Sequence, residues 1–110
     1  MPDVLDPIIL NLADLAGRCR NLSWKITELN VNEHFSMFIK FLIDATHKLD
    51  ENTWESRPDL DFNFASSYLR KAAEGALAGP NEDIYVKITD IETQFENQIN
   101  ELKRVGFLKK

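Results

Sequence analysis

Apolar residues dominate the stretch 35–45, and the few polar residues within it are regularly spaced. The polar side chains are Ser36, Lys40 and Asp44, which recur at every fourth position. On an α-helix this spacing places them in one narrow stripe and leaves apolar side chains around most of the circumference. Such a helix has to be covered by neighbours, so the pattern predicts a central, largely buried helix over residues 33–54.

A second apolar pattern precedes this stretch and has the same helical period. Its members follow one another in steps of four and three residues: Ile8, Leu12, Leu15, Cys19, Leu22, Ile26 and Leu29. Asp6 is a good N-cap residue and Pro7 is favoured in the first turn of a helix. The spacing therefore predicts a first helix over residues 7–29.

Three residues of this first helix need an interpretation of their own. Gly17 destabilises a helix interior by about 1 kcal/mol relative to alanine, so it is either a tolerated imperfection or a point of close helix approach. Cys19 falls on the apolar seam, where we expect a small buried hydrophobe and not a reactive thiol. Trp24 lies beside the seam, and we expect it to cover the seam's edge.

The remaining sequence predicts two more helices and short connections. The segment 63–78 is rich in alanine, which should let that helix pack closely against the phenylalanine-rich second helix. The segment 81–105 begins with a cap and two acids, carries apolar residues at helical spacing, and ends at Gly106 in a pattern typical of a Schellman motif.

The predicted connections lie between these helices. Residues 30–32 should form the first turn, and Pro58 should end the second helix. Residues 59–62 should form a loop whose Leu60 and Phe62 turn inward. The sequence therefore predicts an all-α fold, a compact antiparallel four-helix bundle that forms a single domain over residues 1–110.

Composition restricts the function classes further. The formal net charge is −5, which disfavours direct nucleic-acid binding because that requires a basic surface. One cysteine among 110 residues excludes an internal disulfide. The acidic start shows no signal peptide, and charged residues interrupt the most apolar run, so neither secretion nor membrane insertion is expected. We expect a cytoplasmic protein.

Carboxylates and histidines on facing helices build most metal sites in bundles. The closest approximation is Asp44 with His47, three residues apart, which are the candidate metal ligands. A di-iron site would need a second such unit, but the only other histidine is His34. Phosphate-binding loops and nucleophile motifs are absent from the sequence. We therefore expect no cofactor and, on balance, no enzymatic activity.

One family resemblance involves the same region. Trp24 followed by His34, with an acidic helix end at Asp50 and Glu55, resembles the miniferritins, which store iron in starved bacteria. The resemblance implies a ferritin-like bundle that self-assembles. Ser23 stands where that family has a histidine, so the ferroxidase ligands are not carried over to this chain.

The most distinctive surface feature is an acidic segment that contains a tryptophan. Its members are the candidate partner-binding residues: Asp50, Glu51, Trp54, Glu55, Asp59 and Asp61. An acidic surface steers onto a basic partner, and an aromatic side chain among the acids can anchor it. The sequence therefore favours a protein-binding module, such as an inhibitor, an immunity protein or an antitoxin-like protein.

Three other interpretations of the segment and the chain stay open. The acidic segment could simply be a solvated surface. The chain could instead be a self-assembling or metal-binding bundle, with a homodimer as the simplest assembly. It could also be an all-α nucleotide hydrolase with a non-standard acidic site, since acids four residues apart occur at Glu51 and Glu55 and again at Glu92 and Glu96.

Overall fold

A computed structural model describes residues 5–50, 58–79 and 82–108. Within those ranges the secondary structure consists of four helices: α1 (Asp6–Ser23), α2 (Leu29–Asp50), α3 (Pro58–Ala78) and α4 (Glu82–Arg104). Each helix packs against its neighbours in the chain, and α1 also contacts α4, so the four helices close into a ring. This arrangement confirms the predicted all-α four-helix bundle.

The apolar stretch of α2 lies at the centre of this bundle, as predicted. Phe35, Phe38 and Leu42 are completely buried, and the ring of Phe38 meets the ring of Phe95 from α4 edge to face at 5.3 Å. The polar stripe faces solvent, where Lys40 Nζ lies 3.7 Å from the Asp44 carboxylate. The pattern of polar and apolar residues thus determined which side of α2 faces the core.

The packing of α3 on α2 is the most extensive helix contact in the bundle. Small buried residues make it possible, namely Ala65, Ala72, Ala73 and Ala76. At Gly75 the approach is so close that an added Cβ would lie 3.0 Å from Cγ2 of Val31. The alanine-rich sequence of α3 therefore does what the pattern predicts, because it lets a second helix approach the bulky side chains of α2.

The connection between α1 and α2 differs from the predicted one. The chain leaves α1 at Ser23 and enters α2 at Leu29, so residues 30–32 are helical and the turn lies earlier. Asn32 explains the difference, because its Nδ2 donates hydrogen bonds to the carbonyls of Ser23 at 3.0 Å and Ile26 at 3.2 Å. Ile26 is buried although it lies in the loop, which is why the apolar spacing continued past the end of α1.

The start of α3 also differs from the prediction. Pro58 begins α3 and Asp59 to Phe62 form its first turns, where a loop was predicted. A proline fits the first turn of a helix because its missing N–H would have no partner there. Phe62 is buried as expected, but Leu60 is exposed. The predicted continuation of α2 to residue 54 lies outside the described residues.

The end of α4 has the predicted Schellman geometry. Gly106 has a positive φ of 87°, and the N–H of Phe107 donates to the carbonyl of Leu102 at 2.9 Å. The N–H of Gly106 donates to the carbonyl of Lys103 at 3.1 Å. These two bonds satisfy carbonyls that would otherwise have no partner at the end of the helix.

Candidate functional site

The described part of the acidic segment lies where α2 ends and α3 begins. Asp50 is the last residue of α2 that the structure describes, and it is exposed. Asp59 is half-buried in the first turn of α3. The other predicted partner-binding residues of the intervening segment, Glu51, Trp54 and Glu55, lie outside the described residues.

Asp61 has a different environment from the one expected of a surface acid. Its side chain is 12% exposed and forms an ion pair with Lys48 of α2, which is 31% exposed. The pair joins α2 to α3 and neutralises both charges. Little of Asp61 is left for a partner to contact, so its role in this structure is to fix α3 against α2.

Asp50 is an exposed acid at the last position of α2 that the structure describes. It forms no ion pair with any other described side chain. The negative charge of Asp50 is therefore presented to solvent.

The candidate metal ligands are not assembled into a site. Asp44 pairs with Lys40 at 3.7 Å, and His47 is exposed. Among the residues that the structure describes, no three histidine, cysteine or acidic side chains gather closely enough to hold a metal ion. The geometry of these residues therefore gives no support to metal binding at Asp44 and His47.

A groove between α1 and α2 was not predicted from the sequence. Its volume is about 330 Å³, and it opens to solvent. The lining combines small and apolar residues with a few polar ones: Ile9, Ala13, Ala16, Gly17, Arg20, Ile43, Thr46, His47 and Asp50. The signal that could have indicated it is the spacing of Ala13, Ala16 and Gly17, which places three small residues on one face of α1.

Aromatic side chains line the outer seam between α2 and α3. The ring of Phe41 stacks on Tyr68 at 5.7 Å and also contacts Phe64 at 5.2 Å. Lys40 and Lys71 lie over Phe41 and Tyr68 at 4.7 and 5.2 Å from the ring centres. These contacts account for the half-buried aromatic rings as part of the packing between the two helices.

Cys19 and Trp24 have opposite environments. Cys19 is completely buried, and burial raises the pKa of its thiol to about 12, against a small lowering by Arg18. A thiol of this kind is unreactive near neutral pH, as the sequence predicted. Trp24 was expected to cover the edge of the seam but is 86% exposed, because it continues the helical path of α1 on the outward face of the helix.

Comparisons with known proteins do not indicate a function for this chain, so its function is inferred from the geometry of the described residues. None of the helices in the described ranges is both long enough and apolar enough to cross a membrane. No family model, no curated protein and no solved structure matches this chain.

Proposed function

We propose that this protein is a small acidic protein-binding module that blocks a partner with a basic surface, in the manner of an inhibitor, an immunity protein or an antitoxin. The binding surface is the acidic end of the bundle, which comprises Asp50, Glu51, Trp54, Glu55 and Asp59. The formal net charge of −5 supports this choice of partner, since it attracts basic proteins over long range.

The position of Asp50 is the observation that carries the proposal. Its carboxylate is exposed and forms no ion pair with any other described side chain, so its charge is available to a cation of the partner. A basic partner would supply the cation that this carboxylate lacks within the described part of the chain.

The ion pair between Lys48 and Asp61 also supports the proposal. The pair joins Lys48 of α2 to Asp61 of α3 and so holds the start of α3 against α2. Asp50 and Asp59 are thereby held on two helices that pack firmly together, on either side of the intervening acids. Asp50 and Asp59, held in this way, lose less conformational entropy when a partner binds.

The partner would be held in two stages. Long-range attraction first increases the rate at which the basic surface meets the acidic end. Trp54 then provides an apolar anchor, because tryptophan is one of the residue types enriched among the few that dominate binding energies. An arginine or lysine side chain of the partner would meet Asp50 or its acidic neighbours.

Comparative capture identifies the partner and tests the surface. The wild-type protein and a Glu51→Lys/Glu55→Lys variant are each immobilised and exposed to a lysate of the native host. A control variant, Asp90→Lys/Glu96→Lys, makes the same change in net charge on the exposed face of α4. We expect a basic protein to bind the wild type and the control but not the first variant.

Association rates measured with the purified partner then test whether the acidic end is the binding surface. We expect the Glu51→Lys/Glu55→Lys variant to associate at least about tenfold more slowly than the wild type at low salt, with the control within about threefold. Equal association rates for both variants would overturn the assignment of the surface. Binding that is confined to acidic proteins would overturn the proposed class of partner.

A further inference from the structure

Two large apolar side chains on the outward face of α1 are exposed to solvent and do not belong to the core. Leu10 is 69% exposed and Trp24 is 86% exposed. Trp24 caps the helix with φ −66° and ψ −20°, so it continues the helical path for one more residue. Successive residues of an α-helix are about 100° apart when viewed down the helix axis. In this view Leu10 and Trp24 each project about 20° from the direction of Gly17, and Ala13 about 40° from it.

Gly17 lies at the centre of this face and has no intramolecular explanation. Its backbone is helical, and a Cβ built there would meet nothing within 4 Å. Alanine would fit the fold and stabilise the helix by about 0.5–1 kcal/mol. The fold therefore does not need the space above Gly17, whereas a second helix lying across α1 would need it.

The groove beside this face extends it toward α2. Its floor contains the half-buried Ile9 and Ile43, and Ala13, Ala16 and Gly17 form its α1 side. A side chain projecting from a helix that crosses α1 at Gly17 would have this volume to enter. The exposed residues and the groove thus form one continuous surface.

The charges along α1 indicate what could cover this surface. Within residues 5–25 both acids, Asp6 and Asp14, precede Gly17, and the three cations, Arg18, Arg20 and Lys25, follow it. An antiparallel copy of α1 centred on Gly17 would therefore place its basic half on the acidic half of the first copy. A parallel copy would place like charges together.

We propose that two copies of this chain associate through α1, with the helices antiparallel and the two-fold axis near Gly17. The contact is isologous, so the same residues contribute from both copies. Position 10 of one copy then lies level with position 24 of the other, and Leu10 and Trp24 cover each other. The two acidic ends point in opposite directions, and Asp50 is the one described acid of that end that also lines the groove.

The size of the surface sets the expected strength of association. One helix face from each copy buries less than about 1,200 Å², which is typical of weak or transient association. We therefore expect a reversible dimer with a dissociation constant in the micromolar range. The chain weighs 12.7 kDa, so light scattering separates the two states clearly.

Sedimentation velocity and light scattering over about 1–500 μM test the proposal directly. We expect the average mass of the wild type to rise from 12.7 toward 25.4 kDa, twice the chain mass. Gly17→Leu should stay monomeric because its side chain occupies the crossing point. Ser66→Leu, which adds an apolar side chain to an exposed position on α3, is the control and should behave like the wild type.

Charge-reversal variants test whether the two α1 helices are antiparallel. One variant carries Asp6→Lys and Asp14→Lys, and the other carries Arg20→Glu and Lys25→Glu. Alone, each should lose at least about tenfold in dimer affinity, because like charges then face each other. An equimolar mixture should restore dimers that contain one chain of each kind. Circular dichroism confirms that each variant is folded.

Two results would overturn the proposed dimer. One is a wild type that stays at 12.7 kDa throughout the concentration range. The other is a dimer that Gly17→Leu leaves intact while the charge variants fail to pair with each other. Asp50 lines the groove and so belongs to both proposed surfaces. The test of the proposed function replaces Glu51 and Glu55, which none of these variants changes, so the two proposals fail separately.

Discussion

Lys48 and Asp61 form the ion pair that joins the end of α2 to the start of α3, and both side chains are largely shielded from water, at 31% and 12% exposure. The pair lies beside the acidic end of the bundle and holds Asp50 and Asp59 on helices that cannot easily separate. Substitutions at this pair therefore measure the stability of the fold, and substitutions at the neighbouring exposed acids measure the proposed binding.

Removing the cation of this pair should destabilise the fold. We expect Lys48→Met to lower the free energy of unfolding by about 1–3 kcal/mol, because Asp61 would be left shielded without its partner cation. Lys40→Met is the matched control, since its ion pair with Asp44 is long and exposed, and it should change stability by less than about 0.5 kcal/mol. Urea unfolding of both variants makes the comparison, and equal effects would contradict it.

Two helical glycines should respond to alanine in opposite ways. Gly17→Ala should stabilise the monomer by about 0.5–1 kcal/mol, because the new Cβ meets open space and the helix gains propensity. Gly75→Ala should not stabilise the fold, because its Cβ would lie 3.0 Å from the buried Val31 and the strain offsets the gain. Thermal unfolding at low protein concentration distinguishes them, and equal stabilisation would contradict the close approach of α3 to α2.

Cys19 should make the fold sensitive to alkaline pH. Its pKa is about 12 in the folded protein against an ordinary 9.0, so the unfolded chain loses this proton first. Below pH 9 both states keep the proton and stability is unaffected, whereas above it the unfolded state is increasingly favoured. At about pH 10.5 the wild type should have lost about 2 kcal/mol more than at about pH 8.

Cys19→Ala provides the control for this effect. It has no thiol to ionise, so its stability relative to the wild type should improve by about that amount over the same range. Urea unfolding of both proteins at the two pH values removes the contribution of every other titrating group. A difference that does not change with pH would show that Cys19 is not held in a desolvated position.

Replacing Asp50 should separate stability from binding. Asp50 is exposed and forms no ion pair with any other described side chain, so Asp50→Lys should change the free energy of unfolding by less than about 0.5 kcal/mol. The same change should slow association with the proposed basic partner. Thermal unfolding and association kinetics on one protein sample measure both effects, and a larger loss of stability would contradict the exposed environment of Asp50.

The sequence predicted the fold well because the core of the bundle follows simple periodicity. The polar stripe of α2 and the small residues of α3 depend only on which positions face inward. The turn between α1 and α2 could not be predicted in the same way, because Ile26 stays buried after its helix has ended. In the structure Asn32 binds the end of α1 and does not cap the start of α2.

The candidate site was less predictable because it depends on contacts between different helices. In the sequence Asp61 alternates with apolar residues and therefore resembles a surface acid. This local pattern cannot show that Lys48 reaches Asp61 from another helix. The groove beside Gly17 likewise depends on how far α1 and α2 separate. Sequence spacing reports which residues share a face, but pairing between helices depends on their relative placement.

The dependence of association rate on salt tests the central claim most directly. With the captured partner purified, stopped-flow association is measured from about 20 to 500 mM salt, a range over which screening of exposed charges grows strongly. We expect the wild-type rate to fall by at least about tenfold, and the Glu51→Lys/Glu55→Lys variant to lose most of this dependence. A wild-type rate that does not change with salt would contradict recognition through the acidic end of the bundle.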